Sequence, residues 1–373
     1  MNVLQKIGKF EAIALIIMIS INQIFLNLSN TIIVNVGSSA WINVIVISLV
    51  AILFCLLISK LFKPFPTHDI VDISEYLGKK TLKTIIGILY ILFFVFISAI
   101  ILRYLTNSLK LIYFEKSPLV FLLILFLIPV VFAVRLGIKP ISRVNLIFVP
   151  IVLISMIIIL FSTAKDFVPQ RIFPILGFGA NQTFLLGLNN IFTFSGIVYL
   201  YFLMPLLKNP ADFKKVALIS TIVSSIYIFL SVICLIMMFP FIPFTDEMLS
   251  IYLLTRLIEF GKFFQRIDAI FVLIWILSAF SFLAITLEFI NRIFKKLTKL
   301  KTHKEMAYSL CSIIFSLALI FENSAEVKFM QNIVLKYFVI ILVFIISLIV
   351  LLLANHKVKK EKSTWKQKLL LYY

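Results

Sequence analysis

Long apolar stretches alternate with short polar or basic connections along the chain. Ten stretches can be delimited, and each is about 20 residues long, the length of an α-helix that crosses the hydrocarbon core of a bilayer. They cover about residues 12–34, 41–59, 84–108, 118–134, 144–164, 184–206, 216–240, 268–290, 307–321 and 333–354. Strands of a transmembrane barrel would be about half as long and would alternate in polarity. The pattern therefore predicts an all-α polytopic membrane protein with ten transmembrane helices.

The sixth stretch is interrupted by polar residues. Residues 184–205 are FLLGLNNIFTFSGIVYLYFLMP, in which Thr193, Ser195 and Gly196 follow a pair of asparagines. In hydrocarbon every backbone N–H and C=O must find a partner within the protein, so an interrupted helix persists only where it is buried or lines a cavity. Transporters hold polar ligands at such breaks. Phe194, Ser195 and Gly196 are therefore candidate ligand-binding residues, with Gly196 allowing a close backbone approach.

The first stretch carries a similar interruption, NLSNTIIVNVG, from Asn27 to Gly37. If the helix unwinds there, Ser29, Asn30 and Thr31 lie where freed N–H groups can meet a carboxylate and freed carbonyls an ammonium. The alternative is that these side chains make hydrogen bonds between packed helices. Interruptions at corresponding positions of two five-helix halves indicate an inverted repeat, the architecture of many secondary transporters.

Few other polar groups fall inside the stretches. Arg103 lies near the end of the third stretch, where it is either a functional residue or a side chain that extends to the interface. Glu11, Asp268 and Glu288 stand at the ends of stretches and are expected at the interface. On the eighth stretch Ser278, Ser281 and Thr286 either line a cavity or make packing contacts, and the second alternative is favoured.

Charge sets the expected orientation. The chain is 62% hydrophobic with a formal net charge of +19, and most of its 35 basic residues fall in alternate connections and near both termini. The positive-inside rule places those connections, the termini and the basic tail 355–373 in the cytoplasm. Attraction to anionic membrane lipid is a secondary effect. Nucleic-acid binding is not expected, because the charge follows alternate connections and forms no aromatic-interleaved patch.

Residues 1–373 are expected to form one membrane domain. The connection 60–83 has the charge order of a short amphipathic helix, and 245–265 is expected to form an interfacial helix on the outer side. Motifs typical of ATP binding, metalloproteases and serine hydrolases are absent, as is any metal-ligand spacing among the three cysteines and three histidines. No enzyme activity, cofactor or metal is therefore expected.

An ordered set of short motifs resembles one known family. They are GSSAWINVI (37–45), DISEYLG (72–78), LR (102–103), GIKPISRVNLIFVPIVL (137–153), PILGFG (174–179), FTFSG through FLMP (192–205) and LLTRLIEFGKFFQRIDAIFVLIWIL (253–277). Their order and spacing resemble the B subunit of spore germinant receptors, the GerAB-type germination permeases. The resemblance covers about residues 10–355, and its most specific part is the run ending at Trp275.

The resemblance implies a fold, a place and a role. The fold is that of amino acid–polyamine–organocation transporters, a LeuT-like five-plus-five inverted repeat with broken helices 1 and 6. The family is placed in the spore inner membrane with A and C partner subunits, and it binds a nutrient germinant, commonly an amino acid, between helices 1, 3, 6 and 8. Carried over by position, the resemblance implies ligand contacts from Ser29, Asn30, Thr31, Tyr104, Phe194, Ser195, Gly196, Ser281 and Thr286.

One departure from the family pattern concerns the break in helix 1. Many members carry a Gly-Ser-like pair there, whereas this chain has Ser29 and Asn30. The added side chain is expected to change the shape of that half of the site and therefore its ligand. Three functions stay open: germinant sensing, active amino-acid transport and a structural membrane subunit that has lost its binding site. The scarcity of ionisable groups within the predicted spans favours sensing.

Overall fold

The computed structural model describes residues 5–26, 28–239, 250–256, 267–298 and 306–370. Within these ranges the regular structure is helical, and an isolated parallel bridge joins Ile7 to Leu207. Eight of the described helical stretches are long and apolar enough to cross a membrane, and Met306–Ile320 is a shorter apolar helix. The predicted class, an all-α polytopic membrane protein, is confirmed. The count of ten spans stays a prediction.

The α-helices are numbered in chain order. They are α1 (Lys9–Phe25), α2 (Leu28–Val36), α3 (Ala40–Phe62), α4 (Ile70–Ile112), α5 (Leu119–Leu136), α6 (Ile138–Ser162), α7 (Leu200–Leu203), α8 (Phe213–Met238), α9 (Ser250–Arg256), α10 (Ile267–Thr298), α11 (Met306–Ile320), α12 (Ser324–Ile333) and α13 (Ser347–Leu370).

The first apolar stretch forms two helices rather than one. α1 ends at Phe25 and α2 begins at Leu28. α2 then passes into α3 through a 3₁₀ turn at Gly37–Ser39, where Gly37 has a φ of +73° that favours glycine. Gly37 therefore allows the chain to reverse direction between α2 and α3.

The sixth stretch departs from α-helical geometry over most of its length. Asn181–Leu185 is a π-helical turn and Leu186–Tyr199 follows 3₁₀ geometry, with non-helical angles at Phe194 (φ −89°, ψ 29°). The four residues of α7 and the turn Met204–Leu206 complete the stretch. Stretches of 3₁₀ or π geometry inside a helix are frequent at functional sites. We refer to residues 181–206 as the sixth segment.

α4 starts with a strongly fixed N-terminus. Asp69 accepts hydrogen bonds from the N–H groups of Val71 and Asp72, and Lys296 of α10 lies 2.5 Å from both carboxylates. The backbone leaves helical angles at Gly78 and Lys79, so a short helix precedes the membrane-length part of α4. This agrees with the amphipathic helix predicted in the connection 60–83.

Contacts between connections define two ends of the bundle. At one end, which we call the inner end, the N–H of Ile7 donates to Leu206 O (2.8 Å), and Asn355 donates to Leu61 O (2.8 Å). At the opposite, outer end, the N–H of Val168 donates to Met237 O (3.0 Å). The basic connections therefore meet at the inner end. That this end faces the cytoplasm stays a prediction.

Two predicted features fall wholly or partly outside the described residues. Of the interfacial helix expected at 245–265, only α9 is described, and its proposed cap Thr245 is not. The described part of the basic tail, up to residue 370, continues α13 as helix.

Candidate functional site

The carbonyl end of α1 is bound by a side chain from a distant helix. The N–H of Leu26 donates to Asn22 O (3.1 Å), and Nε2 of the buried Gln331 on α12 donates to Leu26 O (3.1 Å). Carbonyls at a helix end lack intrahelical donors, so Gln331 satisfies one that would otherwise lie in an apolar interior. The interruption of the first stretch is thus anchored at this point.

The backbone at Ser29, Asn30 and Thr31 is helical rather than unwound. All three residues lie near the start of α2, and α1 ends before them, at Phe25. Ser29 Oγ lies 2.6 Å from Ser231 Oγ of α8, Asn30 is buried and Thr31 is half-buried. Because the Ser29 hydroxyl has a partner on a neighbouring helix, its polarity needs no unwound backbone.

Gly196 packs closely against Ser20 of α1. A Cβ placed on Gly196 would lie 2.5 Å from Ser20 Oγ and 3.5 Å from Ser20 Cβ. Real Cβ atoms essentially never come within 3.0 Å of other heavy atoms, so a larger residue at 196 requires the Ser20 hydroxyl to move. The expected close approach at Gly196 is present, and its partner is α1.

Five buried side chains on α1, on α4 and in the sixth segment carry polar atoms that make no hydrogen bond within the described part of the chain. We call them the core polar cluster: Asn22, Gln23, Tyr104, Thr193 and Ser195. A buried polar group without a partner costs about 1–3 kcal/mol, and native proteins contain few of them. Several together indicate a place where a polar ligand or water binds.

Contacts between neighbouring side chains connect the sixth segment with α1 and α10. Thr193 and Ser195 flank Phe194, immediately before the Gly196–Ser20 contact on α1. Two residues farther along α1, Asn22 Oδ1 accepts a long hydrogen bond from Ser278 Oγ of α10 (3.5 Å). The sixth segment, α1 and α10 therefore meet at the end of α1.

Tyr104 joins α4 to the same region. Its ring lies edge-on to Trp275 of α10, with 6.5 Å between the ring centroids. Trp275 stacks on Phe271, and Phe271 packs against Phe25, the last residue of α1. The helices that the resemblance implied, those of spans 1, 3, 6 and 8, are thus in contact here.

Two predicted residues of α10 point to other partners. Ser281 lines a small cavity of about 60 Å³ together with Asn145 of α6. Thr286 Oγ1 lies 2.6 Å from the hydroxyl of Tyr199 and also donates to Phe282 O. Thr286 therefore makes a packing contact between α10 and the sixth segment, the alternative that the sequence favoured.

Arg103 is buried rather than extended to the interface. Its Nη1 donates to Ala318 O (3.2 Å) and its Nη2 to Glu322 O (3.4 Å), at the carbonyl end of α11. A cation there stabilises the helix terminus. Arg103 thereby fastens the outer end of α4 to α11.

Glu288 corrects a prediction. We expected it at the interface, but its side chain is completely buried, and Oε1 accepts a hydrogen bond from Arg292 Nε (2.8 Å). Its Oε2 and both polar atoms of the buried Asn291 find no hydrogen-bond partner among the residues the structure describes. The predicted span ended at 290, whereas α10 continues to Thr298 and places both side chains inside the bundle.

Sequence reasoning also missed Asn22, Gln23 and Gln331 as parts of the site. Each is a single amide in an otherwise apolar or amphipathic stretch, so its position carried no motif. The available signal was the pair Asn22–Gln23 just before the interruption. Gln331 gave none, because its role depends on the approach of α12 to α1.

The cluster offers neutral hydrogen-bond donors and acceptors. Groups of three or more His, Cys, Asp or Glu that could hold a metal ion do not occur in the described ranges. Hydroxyl and amide groups in an apolar surround fix the orientation of a small polar ligand without a charge partner. The arrangement is suited to binding.

Helices long and apolar enough to cross a membrane, packed around buried polar side chains, define a polytopic membrane protein. The sequence profile of one protein family, described as spore germination protein (spore permease), matches residues 6–327. The chain therefore belongs to the spore germination protein family. It is similar to spore germination protein KB of Bacillus subtilis strain 168, with 25% identity over 282 residues, which cover 70% of this chain and 74% of that protein. It is also similar to spore germination protein YndE of the same organism, with 25% identity over 268 residues, which cover 69% and 72%.

Proposed function

We propose that this chain is the germinant-sensing membrane subunit of a spore nutrient receptor and that it binds a small nutrient at the core polar cluster. The observation that carries the proposal is the set of buried hydroxyls and amides around the end of α1. A ligand that forms hydrogen bonds with these groups would offset the free-energy cost of burying them without partners. This gain would contribute to the free energy of binding. Membership of the spore germination protein family supports the biological setting.

The proposed ligand is a small zwitterion, most simply an amino acid. The N-terminal turn of α2, which contains Ser29 and Asn30, presents N–H groups to a carboxylate, while the carbonyl end of α1 suits an ammonium. Tyr104, Thr193 and Ser195 supply hydroxyls that fix its orientation. Ligand specificity depends on the apolar wall, to which Phe194 belongs.

The proposed architecture is a LeuT-like fold of ten transmembrane helices in two inverted five-helix repeats. The separation of α1 from α2 and the non-helical angles at Phe194 support it, since interruptions in corresponding helices mark such folds. In this proposal both termini lie in the cytoplasm, the chain resides in the spore inner membrane, and catalysis has no part in its role.

Signalling requires that the ligand bind two arrangements of the protein with different affinities. We propose that occupation of the cluster favours one packing of α1 and the sixth segment. The change passes to receptor A and C subunits. The Gly196–Ser20 contact supports this, because closely packed helices respond to small shifts.

Amino-acid transport is the second candidate function. It is favoured by Glu288, because proton-coupled transport uses an ionisable carrier within the helix bundle and this carboxylate is completely buried. The scarcity of other ionisable groups within the predicted spans therefore favours sensing over transport less strongly than the sequence alone suggested.

A test on spores separates the two functions. Spores that lack this chain are exposed to a panel of single amino acids, and complementation uses the wild type, Ser195→Ala or Ser29→Ala. We expect loss of germination with one nutrient, restoration by the wild type and Ser29→Ala, and failure with Ser195→Ala. Unchanged germination with every nutrient would contradict the sensing role. Robust uptake by proteoliposomes that contain this chain alone would favour transport instead.

A further inference from the structure

A second cavity lies at the outer end of the bundle. It is an open cleft of about 430 Å³ between the last turns of α4 and the start of α12. We call it the outer cleft. The residues that line it include Arg103, Tyr104, Asn107, Lys110, Asn323 and Lys328. The volume is large enough for a small solute with its water.

The floor of the outer cleft is built from two buried polar side chains. Arg103 and Tyr104 are 6% and 5% exposed. Within the described residues, Arg103 Nε and the Tyr104 hydroxyl have no hydrogen-bond partner. The two Nη atoms of Arg103 are held by the carbonyls of Ala318 and Glu322, so the guanidinium has a fixed orientation. Each Nη carries a second N–H beyond the one given to a carbonyl, and a guanidinium with a fixed orientation and N–H groups to spare is a ready donor to a carboxylate.

The walls add further positive charge. Lys110 and Lys328 line the outer cleft. The N-terminus of α12 lines it too, and its N-cap residue Asn323 accepts a hydrogen bond from Glu326 N (2.8 Å). A helix N-terminus favours an anion, although the Glu326 carboxylate already lies there and accepts a hydrogen bond from Glu322 N (2.8 Å), so Arg103 and the two lysines supply most of the attraction. Glu115 and Glu322 also line the cleft, so it offers both signs of charge. This combination matches a solute that carries a carboxylate and an ammonium.

We propose that the outer cleft is an amino-acid binding site in its own right, in which Arg103 holds the carboxylate before the solute reaches the core polar cluster. The inference rests on the proposed function for the class of ligand. Tyr104 belongs to both places, since it lines the cleft and its ring packs against Trp275 of α10. Tyr104 therefore lies between the outer cleft and the core polar cluster.

Alkylation of a cysteine in the cleft tests this directly. The native residues Cys55, Cys234 and Cys311 are buried, so N107C, in the cleft wall, supplies an accessible thiol. The purified protein in nanodiscs is treated with N-ethylmaleimide and increasing amounts of a mixture of neutral L-amino acids. When the concentration of the solute is ten times its dissociation constant, occupation of the cleft should slow alkylation of the thiol about tenfold. The matching amino acid amides, which lack the carboxylate, should give no protection. The exposed control K116C, outside the cleft, should not be protected by either mixture.

Second-site variants assign the protection to a place. In N107C, adding R103Q should weaken protection about tenfold or more, because a charged hydrogen bond is lost. Adding Thr193→Val, in the core, should leave protection intact. If R103Q fails to fold, as judged by gel filtration, K110Q carries the test and should weaken protection about two- to fivefold.

Three results would overturn the proposal. The first is no protection of N107C at any amino-acid concentration. The second is protection that stays the same when R103Q, or K110Q if R103Q does not fold, is added to N107C, and the third is loss of protection when Thr193→Val is added. None of them decides the proposed function, which the germination assay with Ser195→Ala tests separately. Loss of that response with intact protection of N107C would support both sites.

Discussion

Gly196 and Ser20 hold the sixth segment against α1 at a distance that leaves no room for a side chain on residue 196. A Cβ there would come within 2.5 Å of Ser20 Oγ but would stay 3.5 Å from Ser20 Cβ. The steric conflict is therefore with one oxygen atom. That oxygen donates a hydrogen bond within its own helix, to Ile16 O, and is not needed to join the two segments.

The first prediction follows from this contact. Gly196→Ala should lower the free energy of unfolding by about 1–3 kcal/mol, as overpacking does in tight interiors, and should abolish the nutrient response. Adding Ser20→Ala removes the conflicting oxygen and should restore most of both. Thermal unfolding in detergent and spore germination are the measurements, with Ser20→Ala alone as the control. An additive double variant would show that the contact does not limit substitution.

The second prediction separates hydroxyls of the core polar cluster from hydroxyls with partners. Thr193→Val removes a buried hydroxyl that belongs to the cluster, so thermal stability should hold or rise while the nutrient response falls. Thr286→Val is the matched change, and it leaves the Tyr199 hydroxyl without its partner. It should cost about 1 kcal/mol of stability. The opposite order of stabilities would contradict the assignment.

A third prediction concerns the start of α4. Lys296→Gln removes the ammonium between Asp69 and Asp72, and the two carboxylates are then left close together without compensation. Because Lys296 is partly exposed, we expect the free energy of unfolding to fall by about 2–3 kcal/mol, which is at or below the usual range for breaking a buried ion pair. Lys295→Gln, one residue earlier, should have a smaller effect in the same thermal unfolding assay. Equal effects would show that the contact with Asp69 and Asp72 is unimportant.

A fourth prediction compares two carboxylates at the inner end. Glu288 is fully buried against Arg292, whereas Glu11 lies 3.4 Å from an exposed Arg143. Glu288→Gln should therefore lower the free energy of unfolding by about 2 kcal/mol, and Glu11→Gln by less than about 1 kcal/mol. If Glu288 also carries a proton during transport, uptake by proteoliposomes will lose its dependence on a pH gradient. Comparable unfolding of both variants would contradict the difference in burial.

The chain pattern was sufficient for the class of protein and for the irregular backbone of the sixth segment, whereas the end of α1 lies earlier than the polar residues Ser29–Thr31 suggested. Ten membrane-length apolar stretches predict helices because hydrocarbon admits few alternatives, and Gly196 was found because only glycine permits so close an approach. The pattern did not distinguish a polar residue with a partner from one that awaits a ligand. Ser29 and Ser195 look alike in sequence, yet one hydroxyl meets Ser231 and the other belongs to the core polar cluster.

The remaining errors come from tertiary contacts. Glu288 was expected at the interface because the apolar run ends soon after it, but α10 continues inside the bundle to Thr298. Gln331 could not be found, since it acts on the Leu26 carbonyl from a helix about 300 residues away in sequence. The outer cleft likewise depends on how α12 packs against α4. Such relationships require the fold.

The most direct test of the central claim is equilibrium binding of labelled amino acids to the purified chain in nanodiscs. The account predicts saturable binding of the amino acid that triggers germination. Thr193→Val and Ser195→Ala should each weaken it by about tenfold, the value of one hydrogen bond to a buried group, while Ser29→Ala leaves it unchanged. Absence of saturable binding, or binding that is indifferent to Thr193 and Ser195, would contradict the account.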